Sequence, residues 1–591
     1  MIILGLFDNH NAGVALLVDG EIIAVAEEER FTRVKMDTGF PKNAIDELRK
    51  EYPDLMNKID YVAVGSTDLS FRDFATKRYP NFTVKDFLIE EKRYWYPKLQ
   101  GENPDYLEVM SEYVDYDLSH YPLKSILNKK DPKELRVIRR DFISDYLNIS
   151  SEKINFIDHH TAHAHHAYYS SPIREKTLIF TMDGWGDNTN ATVSIEDNGD
   201  LRCLYRTNDF NVGRIYHFVT LLLGMMPAQH EYKVMGLAAY AKEHYIVEPL
   251  KVFQKILCVE GLEVKKLVDI ENHYQYFKTE LEGYRFDAIA GALQSFSEDI
   301  MVQWVSNWIE HTGISTVVMS GGVSLNIKAS KKISELKNLS KLHISPGAGD
   351  ESICIGAAQV EWKKHNDSNF LKPISSPYLG LGYNQIDVDL MINHPFVKDN
   401  YNCKRDVTKI EIAQLLAQGE IIMYMQGRME FGPRALGHRS ILASPQDASV
   451  VQKINTIIKN RDFWMPFTPS ILAEKSDEYL INPKKISADY MTMAFDSTDK
   501  AKKDLVAAIH QTDSTLRAQL VSKEFSPLYH EVLTEFYKIT GIAGLLNTSL
   551  NIHGKPIVHK PIDIVNEILT NKIVKMDYIV VDNILFSSKK P

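Results

Sequence analysis

Ile2-Ile-Leu-Gly-Leu-Phe7 is an apolar run that meets Asp8-Asn-His-Asn11, then Gly13-Val-Ala-Leu-Leu-Val18, Asp19-Gly20 and Glu21-Ile-Ile-Ala-Val-Ala26. The order reads as a buried strand, a polar loop, a second strand, a tight hairpin turn and a returning strand. The same grammar recurs further along. A strand at 177–182 meets the polar glycine loop Asp183-Gly-Trp-Gly-Asp-Asn188, and a strand at 191–195 turns at Asp197-Asn-Gly199 and returns at 201–206. Two such copies predict an internally duplicated α/β domain, although hairpins are common enough for chance to produce the likeness.

The duplicated layout resembles the nucleotide-binding fold of the actin, Hsp70 and sugar-kinase superfamily, in which both polar loops face one phosphate cleft. Two later loops fit it. A strand at 315–320 ends in Gly321-Gly322, with a helix starting near Ser324. A strand at 342–345 leads to Pro346-Gly-Ala-Gly-Asp350, with a helix over 352–362. Glycines between strand and helix let backbone N–H groups approach an anion; tight turns without a ligand are the commoner explanation. Residues 365–378 are polar and contain prolines, so a linker is expected there, with one domain at 1–364 and a second α/β domain at 379–591. An aromatic-rich insertion at about 68–130, with Arg93-Tyr-Trp-Tyr96, Tyr113, Tyr116 and Tyr121, reads as a helical lid. Core packing explains most of its rings, and acceptor binding is the lesser alternative.

The chain has 591 residues, 44% hydrophobic and 25% charged, which excludes disorder as the dominant state. Lys and Arg number 68 against 78 Asp and Glu, a net charge of −10, which argues against a general nucleic-acid or membrane-surface binder. Cys203, Cys258, Cys354 and Cys403 form no CxxC pair, so a reducing cytoplasm is expected. The apolar start is short and lacks a basic region, and no run reaches the length of a membrane span.

The sharpest chemical signal is His159-His-Thr-Ala-His163-Ala-His-His166, five of the 20 histidines within eight residues. On a helix, His159 and His163 share one face and can hold one ion. No Glu follows the first His, so a zinc protease is disfavoured. The alternative is a polar helix face of hydrogen-bonded histidines. Asp183 and Asp350, in glycine-flanked loops at strand ends, are the candidate carboxylates to complete the shell. Mixed His/Asp ligation suits Fe(II), Mn(II) or Zn(II). Further on, Gly427-Arg-Met-Glu-Phe-Gly-Pro-Arg434-Ala-Leu-Gly-His-Arg439 concentrates cations around glycines, joined by Lys459, Arg461, Arg517 and Asn547. Such a set suits a small phosphate-bearing substrate gripped by guanidinium forks; scattered surface ion pairs are the alternative.

Together these strings resemble the O-carbamoyltransferase family of the nodulation, tobramycin and cephalosporin carbamoyltransferases, nearly end to end. The match rests on Ala26-Glu-Glu-Glu-Arg-Phe-Thr-Arg33, the 159–163 histidines, Asp183-Gly-Trp-Gly-Asp187, Lys233-Val-Met-Gly-Leu-Ala238, Gly321-Gly-Val-Ser-Leu-Asn326, Pro346-Gly-Ala-Gly-Asp350, the 427–437 run, Pro466-Phe-Thr-Pro-Ser470 and Leu546-Asn-Thr-Ser549. The resemblance implies a TsaD-like N-terminal domain and a YrdC-like C-terminal one. It implies that carbamoyl phosphate and ATP give carbamoyladenylate, whose carbamoyl group passes to a hydroxyl of a small natural-product or sugar acceptor. By the same resemblance His159, His163, Asp183 and Asp350 bind a metal, typically iron(II). Asp187, Gly321, Gly322 and Asn326 lie at the nucleotide. Arg434, Lys459, Arg461, Arg517 and Asn547 line the carbamoyl phosphate pocket, and His10 and Lys35 sit on the acceptor side.

Four departures from the family pattern stand out: His10-Asn11 for His-Asp, Leu550 in place of Phe, Lys555 in place of Glu, and a 510–517 segment one residue longer. Competing functions are a sugar or metabolite kinase, a tRNA-modifying threonylcarbamoyl transferase and a non-catalytic ATP-binding module. The histidine pair opposes the first and the net charge the second.

Overall fold

The computed structural model describes residues 1–111, 132–366, 371–571 and 576–589. Tyr113, Tyr116 and Tyr121 of the expected insertion, and part of the expected linker, lie outside them. The chain divides into two compact units, one of residues 1–23, 27–29 and 36–373 and the other of 24–26, 30–35 and 374–591.

The first unit carries the duplication openly. Strands β1 (Ile2–Phe7), β2 (Gly13–Val18), β3 (Glu21–Glu27), β4 (Tyr61–Gly65) and β5 (Ile154–Ile157) form one sheet in the order 3-2-1-4-5. Strands β6 (Leu178–Gly186), β7 (Thr189–Asp197) and β8 (Asp200–Thr207) build the second with β11 (Thr316–Ser320) and β12 (Lys341–Ile344). A small hairpin, β9 (Leu257–Glu260) and β10 (Glu263–Lys266), stands apart. The second sheet runs 8-7-6-11-12, the same topology strand for strand. In each copy the first strand pairs antiparallel with its hairpin partner and parallel with the strand that returns after a long excursion. Both hairpin turns place two successive residues at positive φ, Asp19 (47°) with Gly20 (82°) and Asn198 (55°) with Gly199 (86°). That geometry matches the right-handed twist of the flanking strands.

One expectation needs correction. The 183–188 segment is not simply a loop: β6 continues to Gly186, and its register with β7 shifts between Met182 and Gly186. A bulge re-aims the side chain it carries, and here that side chain is Asp183. The helix expected from Ser324 is a 3-10 turn, Gly322–Leu325, followed by the helix Ile327–Ser334.

The last strand of each copy feeds a helix, His159–Tyr169 after β5 and Ile353–His365 after β12. Asp158 caps the first, its carboxylate accepting the Thr161 N–H at 2.8 Å. The two helices touch where Gly356 faces the Ala162 carbonyl; a Cβ on Gly356 would lie 1.9 Å from that oxygen. The described part of the insertion, from Phe71–Ala75 to Tyr106–Ser111, is helical. It packs its own small core of Phe82, Phe87, Tyr94, Tyr106 and Met110 against Leu221.

The second unit centres on an eight-stranded mixed sheet, in order Tyr401–Lys404, Ile584–Ser588, Tyr578–Val581, Ile422–Met425, Arg439–Ala443, Gly544–Ser549, Thr468–Leu472 and Gln519–Val521. One core cluster includes Met423, Ile441, Leu550, Ile568, Ile579 and Phe586. Among the described residues no helix is long and apolar enough to cross a membrane.

Glu91, in the insertion, accepts a hydrogen bond from Asn272 Nδ2 at 2.8 Å. Burial, reinforced by Glu90, pushes its carboxyl up to about 7. The folded chain therefore holds this proton more tightly than the unfolded chain does, and stability falls as pH rises from about 4.5 to about 7. Glu91→Gln should leave stability unchanged at pH 4 and raise it at pH 8 by on the order of 3 kcal/mol, an upper figure set by the size of the shift. Thermal unfolding of both chains across that range measures the gap; a gap independent of pH would refute the assignment.

Candidate active site

Four buried side chains from three places in the first unit converge. His159 and His163 lie one helical turn apart on the helix after β5, Asp183 on the β6 bulge, and Asp350 at the turn that opens the helix after β12. One ligand atom from each lies within 4.8 Å of the others. His159 Nε2 is 3.5 Å from Asp183 Oδ2 and 3.6 Å from Asp350 Oδ1, and His163 Nε2 is 3.3 Å from Asp350 Oδ1. His10 Nε2 stands 3.0 Å from Asp350 Oδ2, with the Tyr79 ring 4.7 Å from its own.

The electrostatics are those of a site that wants positive charge. Burial opposes the charged form of His159, yet Asp350 and Asp183 outweigh it and hold the imidazole up at about 9. Burial likewise opposes ionisation of both carboxylates, and the facing histidines overcome it, lowering Asp183 and holding Asp350 well below the usual range. His159 Nε2 is buried and makes no hydrogen bond among the described residues. Two imidazole nitrogens and two carboxylates fit a divalent Fe, Mn or Zn ion. The other histidines take the structural role. His160 bonds Thr181 Oγ1 (2.7 Å) and the Thr189 carbonyl (3.1 Å), and His166 lies against the Pro346 carbonyl (3.3 Å). Burial drives both down to about 3, so they stay neutral.

The residues expected at the nucleotide have polar groups that pair within the protein. Asp187, at φ +48°, accepts the backbone N–H groups of Thr67 (2.9 Å), Asp68 (2.9 Å) and His159 (2.8 Å). Its carboxylate thus ties the loop after β4 to the start of the histidine helix. Gly322 donates its N–H to Asp183 Oδ1 at 2.7 Å, and Gly321 donates to the Ala348 carbonyl at 2.7 Å. Gly321 is at φ +95°, where a Cβ would lie 2.3 Å from the Met182 carbonyl, so glycine is required by close approach. Asn326 caps the helix Ile327–Ser334 and bonds Gln294. Among these four, Gly321, Gly322 and Asp187 build the metal-side geometry with their polar groups.

In the second unit, Lys459 is buried, its Nζ donating to the Ser549 carbonyl and to Asn551 Oδ1 (2.6 Å). Burial first, then Arg461 and Lys35, press its ammonium well below the ordinary lysine range. Lys35 therefore lies with Lys459 and Arg461 in the second unit, and His10 lies in the first. Arg461 bonds Thr548 Oγ1 at 3.0 Å. Asn547 spends its amide N–H groups on the Ala435 carbonyl (3.2 Å), Ser470 (2.9 Å) and Gln519 (3.2 Å), leaving its buried Oδ1 without a donor. Of the arginines in the 427–439 run, Arg428 donates to the Leu379 and Gly380 carbonyls, and Arg439 to those of His559, Gln426 and Gly427. Arg434 and Arg517 remain half-buried.

The departures are mostly benign. Leu550 is core, Lys555 is exposed, and Asn11 sits at φ +58°, a conformation Asn and Asp tolerate alike. The sequence reading missed the buried pair Arg139–Asp8 (2.6 Å) and the serines Ser66 and Ser320, each 3.0 Å from an Nδ1 of the histidine pair. A polar residue just past an apolar strand, as in Val62-Ala-Val-Gly-Ser66, was the available signal for the first serine.

Residues 2–359 match the family model described as carbamoyltransferase N-terminus, and 413–588 the one described as carbamoyltransferase C-terminus. An uncharacterised protein of Methanocaldococcus jannaschii is 30% identical, with 96% of each chain covered. Nodulation protein NolNO of Sinorhizobium fredii is 27% identical over 95% of this chain and 77% of its own. Component A of the Acidaminococcus fermentans (R)-2-hydroxyglutaryl-CoA dehydratase is 13% identical over 62% of this chain and 98% of its own, with a TM-score of 0.32. A likeness that slight carries no argument, and the fold reading rests on strand order.

Asp187→Ala removes the acceptor of three backbone amides. Unfolding in urea should show a loss on the order of 3 kcal/mol, the scale of several charge-assisted bonds less what water restores. A loss below about 0.5 kcal/mol, the level of an ordinary surface change, would show that the clamp is idle.

Proposed function

The chain belongs to the carbamoyltransferase family, and we propose that it is an ATP-dependent O-carbamoyltransferase acting on a hydroxyl of a small natural-product or sugar acceptor. The observation that carries the reading is the convergence of His159, His163, Asp183 and Asp350 in a duplicated domain. The reaction runs in two stages. Carbamoyl phosphate is hydrolysed to carbamate and phosphate. A carbamate oxygen then attacks the α-phosphorus of ATP, pyrophosphate leaves and carbamoyladenylate forms. In the second stage the acceptor oxygen bonds the carbamoyl carbon and AMP departs. Free carbamate loses CO2 quickly, so exclusion of water matters.

Each residue has a role in this scheme. Arg434, Lys459, Arg461, Arg517 and Asn547 hold carbamoyl phosphate in the second, YrdC-like unit. The unbonded Asn547 Oδ1 suits the NH2 of a carbamoyl group, since a buried acceptor without a donor is costly until a ligand supplies one. His159, His163, Asp183 and Asp350 hold a divalent ion, with Fe(II) the first candidate; when bound, it supplies positive charge against oxygens that become more negative as AMP leaves. Asp187, Gly321, Gly322 and Asn326 shape the loops that face ATP. His10 takes the acceptor's proton as the new bond forms. A cytoplasmic setting, with ATP and carbamoyl phosphate at hand, accords with the free cysteines.

Incubation with carbamoyl phosphate, ATP and a panel of hydroxyl compounds should give a product heavier by one carbamoyl group in place of hydrogen, with AMP release that depends on carbamoyl phosphate. No AMP under any condition would remove the reading. His10→Ala should cut acceptor turnover roughly 100- to 10,000-fold, the usual reach of general acid–base catalysis, while carbamoyl phosphate-dependent ATP–pyrophosphate exchange persists. Near-normal turnover would take His10 out of the mechanism. Asp350→Asn should abolish stoichiometric uptake of the ion, measured by elemental analysis of the purified chain.

A further inference from the structure

We infer that Ser66 and Ser320 are positioning residues that fix ring orientation and proton location in His159 and His163, so that both Nε2 atoms present lone pairs to one ion. The inference rests on the metal-centre reading and assigns what sets that centre's geometry. Ser66 Oγ lies 3.0 Å from His159 Nδ1, and Ser320 Oγ 3.0 Å from His163 Nδ1. Both serines are buried. They stand at the ends of corresponding strands in the two sheets, Ser66 just after β4 and Ser320 as the last residue of β11.

At Ser320 the proton count decides the matter. A serine hydroxyl has one hydrogen, and Ser320 donates it to the Ala348 carbonyl at 3.0 Å. Toward His163 it therefore accepts, which requires Nδ1–H on the ring. In the neutral ring His163 Nε2 is left with a lone pair, 3.3 Å from Asp350 Oδ1, whereas an imidazolium would donate there. A lone pair facing a carboxylate oxygen is repulsive unless a cation lies beside both. An outer partner on the far nitrogen is how ligating imidazoles are generally held.

At Ser66 the backbone makes the case. Its φ is +68°, the left-handed region, which costs a non-glycine residue about 1–2 kcal/mol. The surroundings hold it there. Asp187 clamps the next two amides, and Arg139 donates to the Ser66 carbonyl at 3.2 Å and the Thr67 carbonyl at 3.4 Å. Arg139 is itself anchored on Asp8 at 2.6 Å and 2.8 Å. Glycine would relieve the strain at once. What it would lose is the hydroxyl aimed at His159, and strain kept at such a place points to function.

The test uses the full chain stripped of metal, with Ser66→Ala, Ser320→Ala and Ser320→Thr as variants. Affinities for Mn(II) and Zn(II) are measured by competition with a chelator. The Co(II) d–d absorption of each loaded protein reports ligand geometry, which a merely structural role would not move. Each alanine variant should bind the ions about 10- to 100-fold more weakly, with altered Co(II) bands and an unchanged metal-free melting temperature. Ser320→Thr, which keeps the hydroxyl, should recover affinity and bands. Affinities within two-fold of the parent in both alanine variants, or weakening matched by Ser320→Thr, would overturn the inference. A parent chain that binds none of the three ions would instead overturn the metal-centre reading itself.

Discussion

Two carboxylates buried within a few ångströms of each other cannot both stay charged without compensation, and everything around Asp183 and Asp350 answers that constraint. Like charges at this range in a poorly polarisable interior repel strongly. The facing imidazoles offset part of the repulsion when protonated. A divalent ion offsets all of it and leaves the imidazoles neutral as ligands. The choice between those two states turns on the Nδ1 partners: a ring that already donates from Nδ1 to a serine offers its other nitrogen as a ligand. The serine layer thus biases the site toward the ion and away from a bare imidazolium–carboxylate cluster.

Duplication makes the convergence possible. In each sheet an aspartate follows the apolar run of the first strand, and the last strand feeds a helix. The two copies have diverged in use. Asp8, of the first copy, is spent on Arg139 inside the protein, while Asp183, of the second, is released by a bulge toward the histidines. The first copy supplies the histidine helix and the second supplies both carboxylates. Open α/β sheets place ligands beyond the carboxyl ends of their strands, and here two such ends share one small volume. Gly186 lies flat against the His159 ring, where a Cβ would come within 2.2 Å, so the bulged strand can approach the ring only without a side chain.

Much of this was legible in the residues alone, for a physical reason. Hairpin grammar is local, so both copies could be read from turn residues and alternation. The His159–His163 pair needed only helical periodicity. The candidate carboxylates stood out because glycines flank them at strand ends. What escaped was non-local or dual-purpose. Asp8 and Arg139 are 131 residues apart, and no periodicity links them. Asp187, Gly321 and Gly322 look like nucleotide-loop residues because such loops are polar and glycine-rich. Their polar groups also pair within the protein, Asp187 with three backbone amides and Gly322 with Asp183. The family resemblance alone puts Lys35 with His10 on the acceptor side, and residues 30–35 belong to the second unit.

The second unit obeys the opposite constraint. Where the first concentrates negative charge, the second gathers Lys35, Lys459 and Arg461, and burial first, then the two neighbouring cations, depresses the Lys459 ammonium. Four of the acceptors around Lys459 Nζ come from the Ser549 to Asn551 turn, so the lysine shapes that turn as much as it offers charge. An anion placed among the three cations would relieve their mutual repulsion and restore the lysine's charge. Under the proposed function, a doubly charged phosphate with a small amide attached would answer both demands, its oxygens meeting the cations and its NH2 meeting Asn547 Oδ1. A plain carboxylate metabolite would answer the charge and leave that buried carbonyl unpaired. Under the proposed function, selection of a carbamoyl donor over other small anions would follow from that unmet acceptor more than from charge, because a site built to hydrogen-bond an NH2 penalises every analogue that lacks one.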